Sequence, residues 1–243
     1  MIEAKIGRRE DFHIRQLYYP FLEWSSRSRK RVVPVLLVVT NGKFYFTEFG
    51  FNRDFGDLSL VRTACYVINE TPVAQIRLST LLAHVDVEQE PDVPFPQAND
   101  LDKVVDLIAL IDANPAGKSA IAEHFEFDDR QGDYYANAAV YLGFAQRSRQ
   151  GFVVTEAGSR FIGTRSLSRR TQILVEQMLK RPVFRDCIQL LLARELRLDA
   201  VSSKDVAGII ARHTPLSGST PPRRASTVLR WLKWVQDNCE ILP

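Results

Sequence analysis

Residues 128–144 read DDRQGDYYANAAVYLGF, and the reading of the whole chain turns on them. Tyr134, Ala138, Tyr141 and Leu142 recur at i, i+4, i+7 and i+8, which predicts a helix with one apolar face. Asp128 and Asp129 suit its cap and first turn, where carboxylates meet unpaired N–H groups and the positive dipole end. Gly143 suits its stop. Just upstream, GKSAIAEHF and LDKVVDLIALI predict two more helices; just downstream, the basic turn AQRSRQG leads into a β-branched pair in GFVVTEAG and a new helix start. The expected elements are helices near 99–112, 117–125 and 129–142, then strands near 144–154.

Three helices followed by a β-hairpin is the winged helix-turn-helix order, in which residues 130–142 would enter a DNA major groove. Arg130 and Gln131 would stand at the leading end of that helix, where arginine can pair bidentately with guanine and glutamine with adenine. Arg147 and Arg149, on the turn entering the hairpin, are candidates for phosphate contacts. Arg130 has a plainer alternative, pairing with Asp128, Asp129 or Asp133. Tyr134 and Tyr141 read as core. Charge is distributed to match a polyanion partner: residues 143–170 carry six arginines against Glu156 alone, whereas 78–102 carry six acids and no Lys or Arg.

The second half repeats the theme weakly. A long helical stretch, SLSRRTQILVEQMLKRPVFRDCIQLLLARE, breaks near Pro182; SSKDVAGIIARH follows with Ser203 as the expected cap, then the loop TPLSGSTPP and the helix RRASTVLRWLKWVQDN. Sliding the first groove helix by 93 positions sets Arg130 on Arg223, Tyr134 on Thr227, Tyr141 on Trp234 and Leu142 on Val235. Arg223 and Arg224 thereby become DNA-contact candidates, Trp231 and Trp234 core, and the second wing short or absent.

The chain opens differently. MIEAKIG reads as a strand on which Glu3 and Lys5 share a face. DFHIRQLYYPFLEW is an amphipathic helix with Asp11 as the expected cap and Gln16 about one turn before Tyr19. A basic turn follows (Arg27, Arg29, Lys30, Arg31), then the strand VVPVLLVVT, an Asn41-Gly42 hairpin signal, the strand KFYFTEFGF, and LSLVRTACYVIN, also expected to be a strand. A short helix near 78–84 precedes EQEPDVPFPQAND, whose three prolines and acidity read as a linker.

Over residues 1–69 the order of E-x-K strand, helix carrying Gln and Tyr, and further strands resembles the second half of a PD-(D/E)xK nuclease core. The resemblance implies Glu3 as a Mg²⁺ ligand, Lys5 as the catalytic lysine and Gln16 as an accessory site residue. It departs from the pattern twice: the Gln–Tyr spacing is one residue short, and the acidic ligand on a preceding strand has no counterpart. An active site would therefore need a carboxylate from another polypeptide or another segment.

The rest of the chain resembles restriction-endonuclease-like proteins. In these an FPQA-like linker (residues 95–98) leads into an RQ..YY..A..YLG helix, and a later T..RR..T...W..W helix closes the chain. Here those helices carry Arg130, Gln131, Tyr134, Tyr135, Ala138, Tyr141, Leu142 and Gly143, then Thr220, Arg223, Arg224, Thr227, Trp231 and Trp234. This resemblance implies a DNA-docking region appended to a nuclease core.

The expected fold class is α+β or α/β: a partial nuclease-like sheet-and-helix module over 1–90, a linker over 91–98, a winged helix over 99–165 and a second winged-helix-like domain over 166–243. With 243 residues, 45% hydrophobic and 25% charged, the chain has ordinary globular composition and room for two or three such domains. Its net charge of +3 argues little by itself. The three cysteines have no zinc or disulfide spacing, and Cys65 and Cys187 read as reduced core residues. The four histidines form no ligand set and read as capping or packing residues. No apolar run is long enough for a membrane span and no signal peptide is visible, so a cytoplasmic protein with no membrane partner is expected. The expected function is binding of double-stranded DNA, as a homodimer or with a partner chain that completes the nuclease core. Mg²⁺-dependent phosphodiester hydrolysis would follow only if the missing ligand is supplied. The alternative is a non-enzymatic transcriptional regulator or protein-interaction module.

Overall fold

The computed structural model describes residues 1–7, 12–51, 57–68, 74–126 and 128–241, a mixed α+β chain that divides into two compact units, Met1–Asn69 and Glu70–Pro243. The expected cap Asp11 lies outside the described residues.

The first unit is a four-stranded sheet in the order β1-β2-β3-β4, formed by Ile2–Ile6, Val35–Thr40, Lys43–Phe51 and Leu58–Val67, with helix α1 (Arg15–Arg27) between the first two strands. β1 runs parallel to β2, which a crossover helix permits; β2, β3 and β4 are antiparallel. Asn41 and Gly42 take φ of 45° and 71° between the paired Thr40 and Lys43. That is the two-residue turn their identities favour, because both central positions need positive φ.

Register assigns the faces of the sheet. Glu3, Leu36 and Thr47 stand in one row and Lys5, Val38 and Tyr45 in the next, on the face that also carries Phe49 and Phe51. Helix α1 packs there, with Tyr18 and Phe21 against Phe51 at ring separations of 5.1 and 5.3 Å. Ile2, Ala4 and Ile6 project from the opposite face with Leu37, Val39, Phe44 and Phe46. Ile2 and Ile6 are about 60% exposed. Cys65, expected in the core, is exposed, because β4 is an edge strand.

The second unit is helical around one continuous apolar core running from Ile76 to Cys239. Its helices are α2 (Leu78–His84), α3 (Leu101–Ala113), α4 (Lys118–Phe125), α5 (Asp129–Tyr141), α6 (Glu156–Gly163), α7 (Leu167–Leu179), α8 (Pro182–Ala193), α9 (Ser203–His213) and α10 (Thr220–Asn238). Strands β6 (Ala145–Ser148) and β7 (Gly151–Val154) form a hairpin directly after α5, and Ala116, between α3 and α4, bridges to Phe152 as a third extended segment. The expected order of three helices and a hairpin is thus the observed one. Gly143 closes α5 at φ 80°.

Three boundaries differ from expectation. Residues 74–90 belong to the second unit, since β5 (Ala74–Ile76) pairs with β8 (Cys239–Ile241) at the far end of the chain. The acidic, proline-rich stretch is a strap, not a linker. Glu90 accepts hydrogen bonds from the Tyr141 hydroxyl (2.8 Å) and the Val183 amide (2.9 Å), Glu88 pairs with Arg181 (2.8 Å) and Lys180 (3.0 Å), and Phe95 packs on Tyr141 and Phe184. Nor do the two helical halves separate at 165, because one core spans both. Among the described residues the second half has no wing; its end pairs with β5 instead. α9 is capped by Ser202, one residue before the expected Ser203, in a reciprocal box with Asp205.

Candidate nucleic-acid interface

Helix α5 starts on a working cap. Asp128 Oδ1 accepts from the Gln131 amide at 2.8 Å, and Asp129 accepts from the Ser119 hydroxyl of α4 at 2.9 Å. Asp133 is held by Asn137 (2.9 Å) and Arg147 (3.0 Å). Each of the three acids near Arg130 thus has another partner, and Asp133 is neutralised by Arg147. The exposed Arg130 instead donates to the Tyr134 hydroxyl and lies 5.6 Å from the centre of that ring. Tyr134, expected in the core, sits at this surface; the buried face of α5 is built from Tyr135, Ala136, Ala138, Ala139 and Tyr141.

Helix α10 is fixed beside α3 by three hydrogen bonds: Thr227 to Asn99 (2.9 Å), Trp231 Nε1 to the Ala98 carbonyl (2.8 Å) and Trp234 Nε1 to Asp102 (2.8 Å). Both tryptophans are core residues, as expected. Near the start of α10, Arg224 comes close enough to Tyr134 of α5 for the two to interact electrostatically. Arg224 is half-buried, and that burial lowers its pKa; the nearby Tyr134 hydroxyl raises it and Arg223 lowers it. Arginine keeps its charge under such shifts. Arg223 is exposed and reaches only Ser219, at 3.4 Å. Tyr134 thus carries Arg130 and lies near Arg224, whose chain neighbour is Arg223, and among the described residues none of the three arginines is ion-paired. No sequence signal foretold that Tyr134 would join them, because the two helix starts are 93 positions apart.

The hairpin divides the other candidates. Arg147 is bound to Asp133 and Asn137 and stacks over Phe152 at 4.8 Å, so its charge is compensated internally. Arg149, at the tip, is exposed and makes no ion pair among the described residues. The basic stretch beyond is partly self-neutralised as well: Arg160 pairs with Glu156 and Arg169 with Glu176. Gln131 is exposed on the first turn of α5.

In the first unit Glu3 and Lys5 form an ion pair at 3.1 Å, with side chains 30% and 14% exposed. Gln16 is exposed on the first turn of α1. Among the expected site residues Glu3 is thus the lone carboxylate, and Lys5 already cancels its charge. Among the described residues no group of three or more His, Cys, Asp or Glu is placed to hold a metal ion. These residues by themselves do not fit a Mg²⁺ centre, which needs uncompensated oxygen donors. Three of the four histidines have partners: the His84 ring meets the Thr80 carbonyl, His124 the Phe125 ring, and His213 Asp186. No helix among the described residues is long and apolar enough to cross a membrane.

A family model, DUF7226, described as a domain of unknown function, matches residues 103–240 and with them every element of this interface. The chain belongs to that family. A second model, DUF6997, with the same description, matches residues 1–67 and so covers the sheet unit. No curated protein and no solved structure matches the chain. The two matches fall on either side of the structural division at Asn69, with the DUF7226 region carrying the arginine cluster and the DUF6997 region the Glu3–Lys5 pair.

Proposed function

We propose that the chain binds double-stranded DNA, with helix α5 read as the groove helix of a winged helix and Arg149 at the tip of its wing. The observation that carries the reading is Arg130 on Tyr134 with Arg224 near the same ring, while Asp128, Asp129 and Asp133 each have another partner. Uncompensated arginines at a helix start contact phosphates and base edges without first breaking an internal ion pair. Arg147 then serves as a brace holding the hairpin against α5, and phosphate contact falls to Arg149.

Under the same reading the sheet unit is a nuclease-derived half. Hydrolysis would require a carboxylate that these residues do not supply beside Glu3. Descent from a restriction-endonuclease-like protein thus supports DNA binding more directly than it supports cleavage.

The test is duplex binding by fluorescence anisotropy between about 50 and 300 mM salt, followed by incubation with Mg²⁺. Each phosphate neutralised contributes about 0.9 to the slope of log K against log salt. R223E/R224E should weaken binding at least tenfold and reduce that slope by about 2. Duplex binding that ignores both salt and this double variant would refute the proposal.

A further inference from the structure

A second basic feature lies in the sheet unit. At the end of the sheet a groove of about 580 Å³ runs between α1, the turn 29–34 and strands β3 and β4. Its apolar walls include Phe21, Phe49 and Phe51, while among the described residues Arg29, Lys30 and Arg31 line it with one carboxylate, Glu48, and so give it a net charge of +2. Glu48 is already engaged, accepting from Arg62 at 2.9 Å and lying 3.7 Å from Arg31. Arg29 and Lys30 are exposed and have no ion-pair partner among the described residues. Ser25 and Ser59 add hydroxyls to the lining.

Four chemical features therefore meet in one concavity: flat apolar side chains, two cations with no ion-pair partner among the described residues, hydroxyl groups, and a volume within the range of small-molecule sites. A purely apolar ligand would leave the cations unused, and a bare phosphate would leave the phenylalanine surface unused. We propose that this groove takes a nucleotide unit, its ring lying on the apolar wall and its phosphate on Arg29 and Lys30. Combining aromatic surface with a cationic track is how single strands of nucleic acid are held. The site is independent of the duplex reading above, since it uses none of the residues around Tyr134.

The full chain would be titrated with fluorescently labelled dT12, with unlabelled thymidine 5′-monophosphate and inorganic phosphate as competitors. R29E/K30E should weaken dT12 binding at least tenfold and lower the salt slope by about 0.7, the share of the one phosphate seated there on a single strand. S25W should weaken it by steric filling while leaving the charge intact. Both sites are exposed, and circular dichroism would verify the fold. Competition by the mononucleotide would place the recognition in one nucleotide unit. Competition by the labelled strand's own unlabelled form alone would place it in an extended strand. R223E/R224E should leave the effect of R29E/K30E unchanged, so failure of the duplex proposal would not touch this one. Unchanged dT12 affinity in R29E/K30E, or competition by inorganic phosphate equal to that of the mononucleotide, would overturn it.

Discussion

Two glycines inside helices give a test in which the structure dictates opposite signs. A Cβ built on Gly132 of α5 would lie 2.4 Å from the Lys118 carbonyl oxygen of α4, with Ala122 N and Cβ at 3.2 and 3.3 Å. Close carbon–oxygen contacts between backbones settle at about 3.3 Å, so the two helices would have to part by roughly 0.9 Å. Overpacking of that kind costs about 1–3 kcal/mol. Replacing a helical glycine by alanine returns about 0.5–1 kcal/mol. G132A should therefore lose about 1–2 kcal/mol, a fall in Tm of roughly 2–8 °C at the usual sensitivity for a unit of this size. Gly208 of α9 is exposed and a Cβ there meets nothing within 4 Å, so G208A should collect only the favourable contribution, about 0.5–1 kcal/mol. Tryptophan emission during urea unfolding reads this unit, since Trp231 and Trp234 are 0% and 9% exposed while Trp24, in the sheet unit, is 57% exposed. G132A should also weaken duplex binding, because the α4–α5 contact aims Arg130. Equal stability of the two variants, or a more stable G132A, would refute the packing argument.

Three further outcomes follow from the strap and the thiols. Burial raises the Glu88 pKa, but the Lys180 hydrogen bond and the charges of Arg181 and Lys180 outweigh it, leaving the group below its ordinary 4.5. A depressed folded pKa contributes stability above the unfolded value and loses it as pH falls through the folded one. E88Q should accordingly be less stable than wild type at about pH 7 in urea melts, and the gap should close by about pH 3; a gap that persists there would count against the ion pair. Y141F removes the hydroxyl that donates to Glu90 at 2.8 Å and should cost about 1.5–3 kcal/mol, as hydrogen bonds to charged groups do. A loss under about half a kcal/mol would mean the strap is not anchored there. Burial pushes the Cys187 thiol up to about 12, whereas Cys65 is exposed. At about pH 8 a thiol reagent should modify Cys65 in the native protein and reach Cys187 and Cys239 only in denaturant; mass spectrometry of the labelled peptides decides it.

Local signals carried well into the structure where the chain's own chemistry sets the geometry. Asn41-Gly42 made its hairpin because both residues tolerate positive φ. Asp128 capped α5 because its carboxylate reaches the Gln131 amide from the preceding turn. What the sequence hid was long-range. The stretch 85–98 has linker composition, yet two of its four acids, Glu88 and Glu90, are spent on Lys180, Arg181, Tyr141 and the amide at the start of α8, partners between 51 and 93 positions away. Composition counts charges; it does not say which are free. The same blindness explains Arg147 and Arg149, alike in sequence and separated by one residue, of which one is locked to Asp133 and the other is not.

That distinction bears on how a modestly charged chain would hold DNA at all. With a formal charge of +3, attraction cannot come from the whole molecule. It has to come from local imbalance, and the folded chain creates one by pairing acids and bases selectively. The strap takes Lys180 and Arg181 out of play with Glu88, and Asp133 does the same to Arg147. Among the described residues, the cations left without acids include those at the starts of α5 and α10, at the hairpin tip, and at the rim of the groove in the sheet unit. Reversing a paired arginine and reversing an unpaired one should therefore differ in kind. R147E would break a brace and lower stability, since it would set a carboxylate against Asp133. R149E would leave stability unchanged and lower the duplex salt slope by about 0.9, the share of a single phosphate. If both variants change only the salt slope, then Arg147 is a phosphate ligand after all, and selective pairing is not what shapes the interface.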